Sequence, residues 1–166
     1  MRRALDLDAD PLAIEAVLAA DFPHCAGWRV PGAWDGFEQA VRAVLGQQIT
    51  VAAARTLTQR LVHAYGEPVA TPWPQLTHAF PTPERLLSLT ADDLGRLGIV
   101  RQRQKAIHAL AEAVVHHGLD LNPGPGLQDT LQALMDLPGI GDWTAQYIAM
   151  RALRWLERYL QATVDR

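Results

Sequence analysis

Cysteine is almost absent: Cys25 is the only one in 166 residues. One thiol cannot build a disulfide framework within the chain, a cysteine-rich zinc site or a four-cysteine iron–sulfur cluster, and it suits a reducing compartment. Lysine is as scarce. Of the 15 basic residues only Lys105 is a lysine, so chemistry that needs a side-chain amine has a single candidate. No apolar run approaches the roughly 20 residues of a membrane span. Met1-Arg2-Arg3 leads into Asp6, Asp8 and Asp10 rather than a signal-peptide core, so the expected location is the cytoplasm. Excess positive charge is missing too. With a formal net charge of −3, a polyanionic partner would have to be held by local geometry. What is present, 49% hydrophobic and 20% charged residues, is enough for a packed core and argues against whole-chain disorder.

The pattern is helical nearly throughout, and the expected fold class is all-α. Asp10-Pro11 reads as an N-cap and first-turn proline, with Ile14, Val17 and Leu18 on one face. Trp34-Asp35-Gly36 starts a second helix carrying Phe37, Val41, Val44 and Leu45. Gly46-Gln47-Gln48 interrupts it, and Thr50 caps a third that Gly66 stops. Residues 67 to 82, with four prolines and no sustained period, read as a long surface connection. Two short helices open at Thr82 and Thr90, and a longer one spans Arg101 to His117. Leu127 to Leu137 is the next, and a final helix is expected from Asp142 to about Leu160.

The informative stretch is Leu137-Pro138-Gly139-Ile140-Gly141-Asp142-Trp143-Thr144-Ala145, between two amphipathic helices. Two glycines one residue apart allow a tight turn, with positive φ expected there, and leave the backbone N–H groups unshielded. Those donors adjoin the unsatisfied amides of the following helix, where the dipole adds partial positive charge, so a phosphate can bind without lysine or arginine. An ordinary helical corner without a ligand would show the same Gly-X-Gly. Asp142 is a candidate cap for the last helix. Trp143 and Tyr147, four apart, share one face, which is compatible with a ligand pocket or with the core. Arg101, Arg103 and Lys105 crowd the start of a helix, where cations oppose the dipole. A phosphate contact or a solvated basic face would account for them.

The longer string, with Gln146, Tyr147, Ile148, Ala149, Met150 and Arg151, resembles the helix–hairpin–helix signature of the endonuclease III superfamily. More narrowly, it is similar to the 3-methyladenine DNA glycosylase II (AlkA-type) branch. Val30-Pro31-Gly32, Phe37 through Thr50, Phe80-Pro81-Thr82-Pro83 and Leu97-Gly98 extend the resemblance over nearly all of the chain. It implies base-excision repair of alkylated double-stranded DNA, by flipping the base out of the stack and hydrolysing its N-glycosidic bond. It implies phosphate contacts from Gly139, Ile140, Gly141 and Thr144 in a hairpin spanning about 127–153, and a base pocket lined by Trp143 and Tyr147. Gln48 matches the residue that wedges into the duplex, with loop packing as the alternative role. No cofactor is implied beyond a monovalent cation at the backbone carbonyls of Met135, Leu137 and Gly139. The resemblance also implies a monomer associated with the nucleoid. Lyase members use a lysine after the hairpin. Here that region reads Asp142-Trp143-Thr144, so hydrolysis without strand cleavage is expected.

Three departures qualify these expectations. The family's amino-terminal sheet domain is expected to be absent, leaving residues 1–166 as one helical domain. The catalytic aspartate in a Pro-X-Asp context is missing, with Asp165 the nearest carboxylate, and the helices that follow it are missing as well. The chain therefore resembles a C-terminally truncated glycosylase of doubtful activity, and a DNA-binding module without catalysis is the alternative. Resemblance is expected to stop at Leu153. Back-translated with G/C-rich codons, the tail reads in another frame as a peptide containing Pro-Ala-Gly-Asp, which suggests a frameshift near codon 155.

Overall fold

Three-residue capping signals set most helix starts. The side chains of Asp35, Thr50, Thr82 and Thr90 each accept a hydrogen bond from the amide three residues on. The computed structural model describes residues 1, 2 and 4–155. In it the elements are α1 (Pro11–Leu18), α2 (Gly36–Leu45), α3 (Val51–Tyr65), α4 (Pro83–Leu87), α5 (Ala91–Arg96), α6 (Arg101–His116), α7 (Leu127–Met135) and α8 (Asp142–Ile148). At the start of α5, Thr90 and Asp93 form a reciprocal capping box. Hydrogen bonds from the Thr90 side chain and backbone hold the Asp93 carboxyl below its ordinary range.

The core lies between α2 and α6. Val41, Val44 and Leu45 face Ile107 and Leu110 within one buried cluster, and shortening either α6 residue to alanine should cost about 2–5 kcal/mol. Around this pair, α2 also packs on α3 and α8, while α6 packs on α4 and α5. The end of α2 and the start of α8 are thereby brought to one side of the molecule.

Three features of the fold correct or add to what the pattern gives. First, α1 forms from its proline and cap as predicted but buries no residue, and Val17 is half exposed. Its apolar face is not part of the core. Within residues 1–35 Arg29 donates to the carbonyls of Asp6 and Ala9, and the segment is tied to the rest of the molecule by the Ala33 amide, which donates to the Arg151 carbonyl. The buried Asp6 carboxylate pairs with Arg154 at 2.6 Å. Second, the last helix is interrupted within the described residues, and the expected stretch from 156 to about Leu160 lies outside them. It widens into one π-helical turn, Ala149–Leu153, and stops at Arg154, whose φ of 64° is left-handed. The amides of Arg154 and Trp155 both donate to the Ala149 carbonyl, which closes the end. Third, the proline-rich connection is not shapeless. Pro68 and His78 form an isolated antiparallel bridge, flanked by Val69 N–H to Thr77 O and Ala79 N–H to Glu67 O.

Candidate nucleic-acid interface

The hairpin between α7 and α8 is anchored by Leu134 and Ile140, both in the core. The two glycines between them and α8 answer different demands. Gly139 has φ +83°, and a Cβ there would stand 3.0 Å from the Ala106 Cβ and 3.6 Å from the Gln102 carbonyl. Both the backbone and the neighbouring helix therefore require glycine. Gly141 is extended, with φ −85° and ψ 172°, and a Cβ there would meet nothing within 4 Å. The expectation of positive φ holds for Gly139 and is corrected for Gly141. Nothing inside the fold asks for glycine at position 141, whereas a group approaching from outside would.

Gly141, not Asp142, is the N-cap of α8, so no side chain caps its first turn. Asp142 lies in that turn, where its carboxylate accepts from Gln146 Nε2 at 3.4 Å. Ile140 and Thr144 hold the hairpin in place rather than reach outward. Ile140 is buried and its amide donates to the Leu137 carbonyl at 3.1 Å, so that amide is already used within the turn. Thr144 is buried as well, and its hydroxyl oxygen accepts from Gln47 Nε2.

Gln47 is the residue that the sequence argument passed over. Its side-chain amide reaches 92 positions along the chain to the Gly139 carbonyl at 2.8 Å, and to Thr144 Oγ1 at 3.1 Å. Arg103 in turn donates from its guanidinium to the Gln47 carbonyl. This gives one of the crowded α6 cations a structural task, while Arg101 and Lys105 stay exposed. The next residue behaves differently. Gln48 is exposed and carries φ +54°, a conformation that costs about 1–3 kcal/mol for a residue other than glycine.

These elements frame an open cleft of about 410 Å³ lined by Gln47, Gln48, Arg103, Gly139, Trp143 and Thr144, among others. At its edge Trp143 is 67% exposed and lies flat on Tyr147, ring centroids 5.5 Å apart and planes within 3°. Trp143 is thus not a core residue. Half-buried Tyr147 packs behind it against the core and does not line the cleft. A planar cation could stack on such a platform, while the N-terminal end of α8, with its dipole, could attract an anion.

Of the three carbonyls considered for a monovalent cation, that of Leu137 accepts from Ile140 N–H and that of Gly139 from Gln47 Nε2. Each keeps one lone pair. Asp165 lies outside the described residues. Among the described residues no group of three or more histidine, cysteine or carboxylate side chains could hold a metal, and no helix is long and apolar enough to cross a membrane.

Residues 41–164 match the family described as HhH-GPD superfamily base excision DNA repair protein. The chain belongs to that family. The match takes in the hairpin, both arms of the cleft and the tail, so the expected loss of resemblance after Leu153 is corrected. Residues 1–35 match the AlkA N-terminal domain. Among the described residues of that stretch there is one helix and no strand.

A probable bifunctional transcriptional activator/DNA repair enzyme AlkA of Mycobacterium tuberculosis is 44% identical over 158 residues, covering 92% of this chain and 31% of that protein. DNA-3-methyladenine glycosylase 2 of Escherichia coli is 37% identical over 151 residues, covering 91% and 53%. The solved 3-methyladenine DNA-glycosylase from Archaeoglobus fulgidus shares the fold, with a TM-score of 0.71 at 24% identity, covering 88% of this chain and 52% of that one. The chain thus spans about half or less of the length of these HhH-GPD relatives.

Proposed function

We propose that this chain is the DNA-reading and base-stacking part of a monofunctional N-glycosylase. Its substrate class is alkylated, cationic bases of the 3-methyladenine type in double-stranded DNA. The observation that carries this reading is the exposed Trp143–Tyr147 stack beside a hairpin whose Gly141 leaves the α8 amides uncovered. A phosphate held at those amides fixes the strand, and Gln48, presented from a strained corner, fills the gap left by the flipped nucleotide. The extruded base stacks on Trp143, where its positive charge faces the π system. In hydrolysis water adds to the sugar C1′, the N-glycosidic electron pair leaves with the base, and a carboxylate stabilises the sugar cation. Asp165 is the carboxylate considered for that role. The sole lysine, Lys105, is on α6, and Asp142 stands just after the hairpin, so no Schiff base forms.

In this reading the protein works as a monomer on the nucleoid, and a monovalent ion at the carbonyls of Met135, Leu137 and Gly139 adds positive charge near the phosphate. Among the described residues the lining of the cleft contains no carboxylate, an observation that favours a second reading: a hairpin module that binds DNA without cleaving it. Release of 3-methyladenine from methylated duplex separates the two. The glycosylase reading expects free base, a large loss in Trp143→Ala and no borohydride-trapped protein–DNA adduct. Duplex binding without base release supports the module, and a trapped adduct overturns monofunctional hydrolysis.

A further inference from the structure

A second cleft, of about 330 Å³, opens between α2, α3 and the 67–79 excursion. Its lining departs from the composition of this net-negative chain: Arg42, Arg55, His63 and His78 line it, with Gln59 and Gln75 among the neutral donors, and among the described residues no carboxylate does. Helical spacing explains half of this, since Arg55, Gln59 and His63 recur every four residues on one face of α3. The excursion supplies the rest. Residues 67–79 bury no side chain, yet a backbone ladder orders them and brings His78 against His63, ring centroids 5.3 Å apart and edge to face. Gly66 makes the approach possible, because a Cβ there would stand 2.4 Å from the carbonyls of both Ala79 and Val62. An ordered excursion that adds nothing to the core points to a role on its surface.

Each charged group facing the cleft can be placed. Arg42, from α2, is half committed: it pairs with Glu38 at 2.6 Å and lies over the Phe80 ring. From α3, Arg55 has no hydrogen-bond or ion-pair partner among the described residues, and His63 lies about two turns further along the same helix. From the excursion comes His78, whose Nδ1 is bonded to Thr77 Oγ1 at 2.8 Å, leaving Nε2 free. A free guanidinium presents a planar fork of donors that matches two phosphate oxygens, and the amides and imidazoles can satisfy the others.

From this arrangement we infer that the cleft is a second phosphate-binding site, taking a backbone phosphate of the duplex that the hairpin holds. The choice of DNA as the source rests on the functional reading above and on continuity of the chain. The Gly46 amide donates to the Arg42 carbonyl, and Thr50 caps α3 one turn before Arg55. Arg42 and Arg55 therefore flank the corner that presents Gln48 to the first cleft. A strand passing that corner meets both sites.

The test is a titration of the 166-residue chain, with inorganic phosphate and with an undamaged duplex, following the ring resonances of His63 and His78. Saturable shifts with phosphate are expected. Arg55→Ala should weaken phosphate at least fivefold and reduce the salt slope of duplex binding by about one. Arg55 is exposed, so the variant should fold, and His78→Ala gives an independent second probe. Absence of any saturable phosphate shift overturns the site. Saturation by phosphate with an unchanged duplex salt slope in Arg55→Ala overturns DNA as the source and leaves a phosphorylated small molecule. Saturation by phosphate with no duplex binding by the parent chain overturns the base-excision reading, and DNA as the source with it.

Discussion

Two tight corners face one another across the first cleft, and they carry their strain differently. In the hairpin, positive φ falls on Gly139, which also lacks the Cβ that would press on Ala106. In the α2–α3 corner it falls on Gln48, a residue with a long side chain and no relief from the conformational cost. Where the fold alone needs the geometry, glycine supplies it without strain. Where a side chain is presented at the apex, the molecule tolerates the strain, and hydrogen bonds at the adjoining residue hold the corner in place: Gln47 bonds across to the hairpin, and Arg103 bonds back to Gln47. Strain at Gln48 is therefore evidence for a role of its side chain outside the fold.

This contrast can be broken most severely at Gly139. Gly139→Val should destabilise the chain by about 3 kcal/mol or more, from left-handed backbone plus overpacking, and abolish duplex binding. Gly139→Ala with Ala106→Gly should recover the packing part and not the backbone part, which denaturant midpoints would resolve. Gln47→Ala comes next. It leaves the Gly139 carbonyl without its long-range donor and should cost about 1–2 kcal/mol, with weaker duplex binding because the two corners lose their mutual fastening.

Gln48→Gly sharpens the contrast in the other direction. It relieves the strain and should stabilise the fold by up to about 1 kcal/mol, while binding to a duplex with an abasic gap weakens. A variant that is both more stable and binds equally well would remove the case for a wedge. Smaller still is the effect of Gly141→Ala on stability, expected within about 0.5 kcal/mol since the new Cβ meets nothing. Gel shift should nonetheless show weaker duplex binding; unchanged affinity would mean that no phosphate comes close to position 141.

The smallest effect is a control far from both corners. Asp93→Asn should leave duplex binding untouched and remove part of the pH dependence of stability. The Asp93 pKa is lowered in the folded state, so its contribution is present above the unfolded value and fades as pH falls through the folded one. Thermal midpoints of parent and variant should converge in acid.

How far the sequence could be read follows from the range of the interactions. The caps at Asp35, Thr50, Thr82 and Thr90 depend on residues three apart, and each appears where the pattern placed it. Stacking of Trp143 on Tyr147 follows from a spacing of four on one helix. Nothing local, by contrast, distinguishes Gln47 from Gln48. One becomes a fastener because Gly139 and Thr144 arrive beside it, and the other remains exposed. The apolar face of α1 illustrates the converse, since periodicity fixes which residues share a face but not whether another element covers it.

By itself, then, the sequence determined the helices, their order and the chemistry available at the hairpin, because capping, helical periodicity and glycine's conformational freedom act within one or two turns. Only the tertiary structure decided that the Ile140 amide is used within the turn, which glutamine is presented, and that Arg103 reaches the Gln47 carbonyl. Those outcomes depend on hydrogen bonds between residues separated by 56 to 97 positions, whose partners are set by how α2, α6 and α8 pack together.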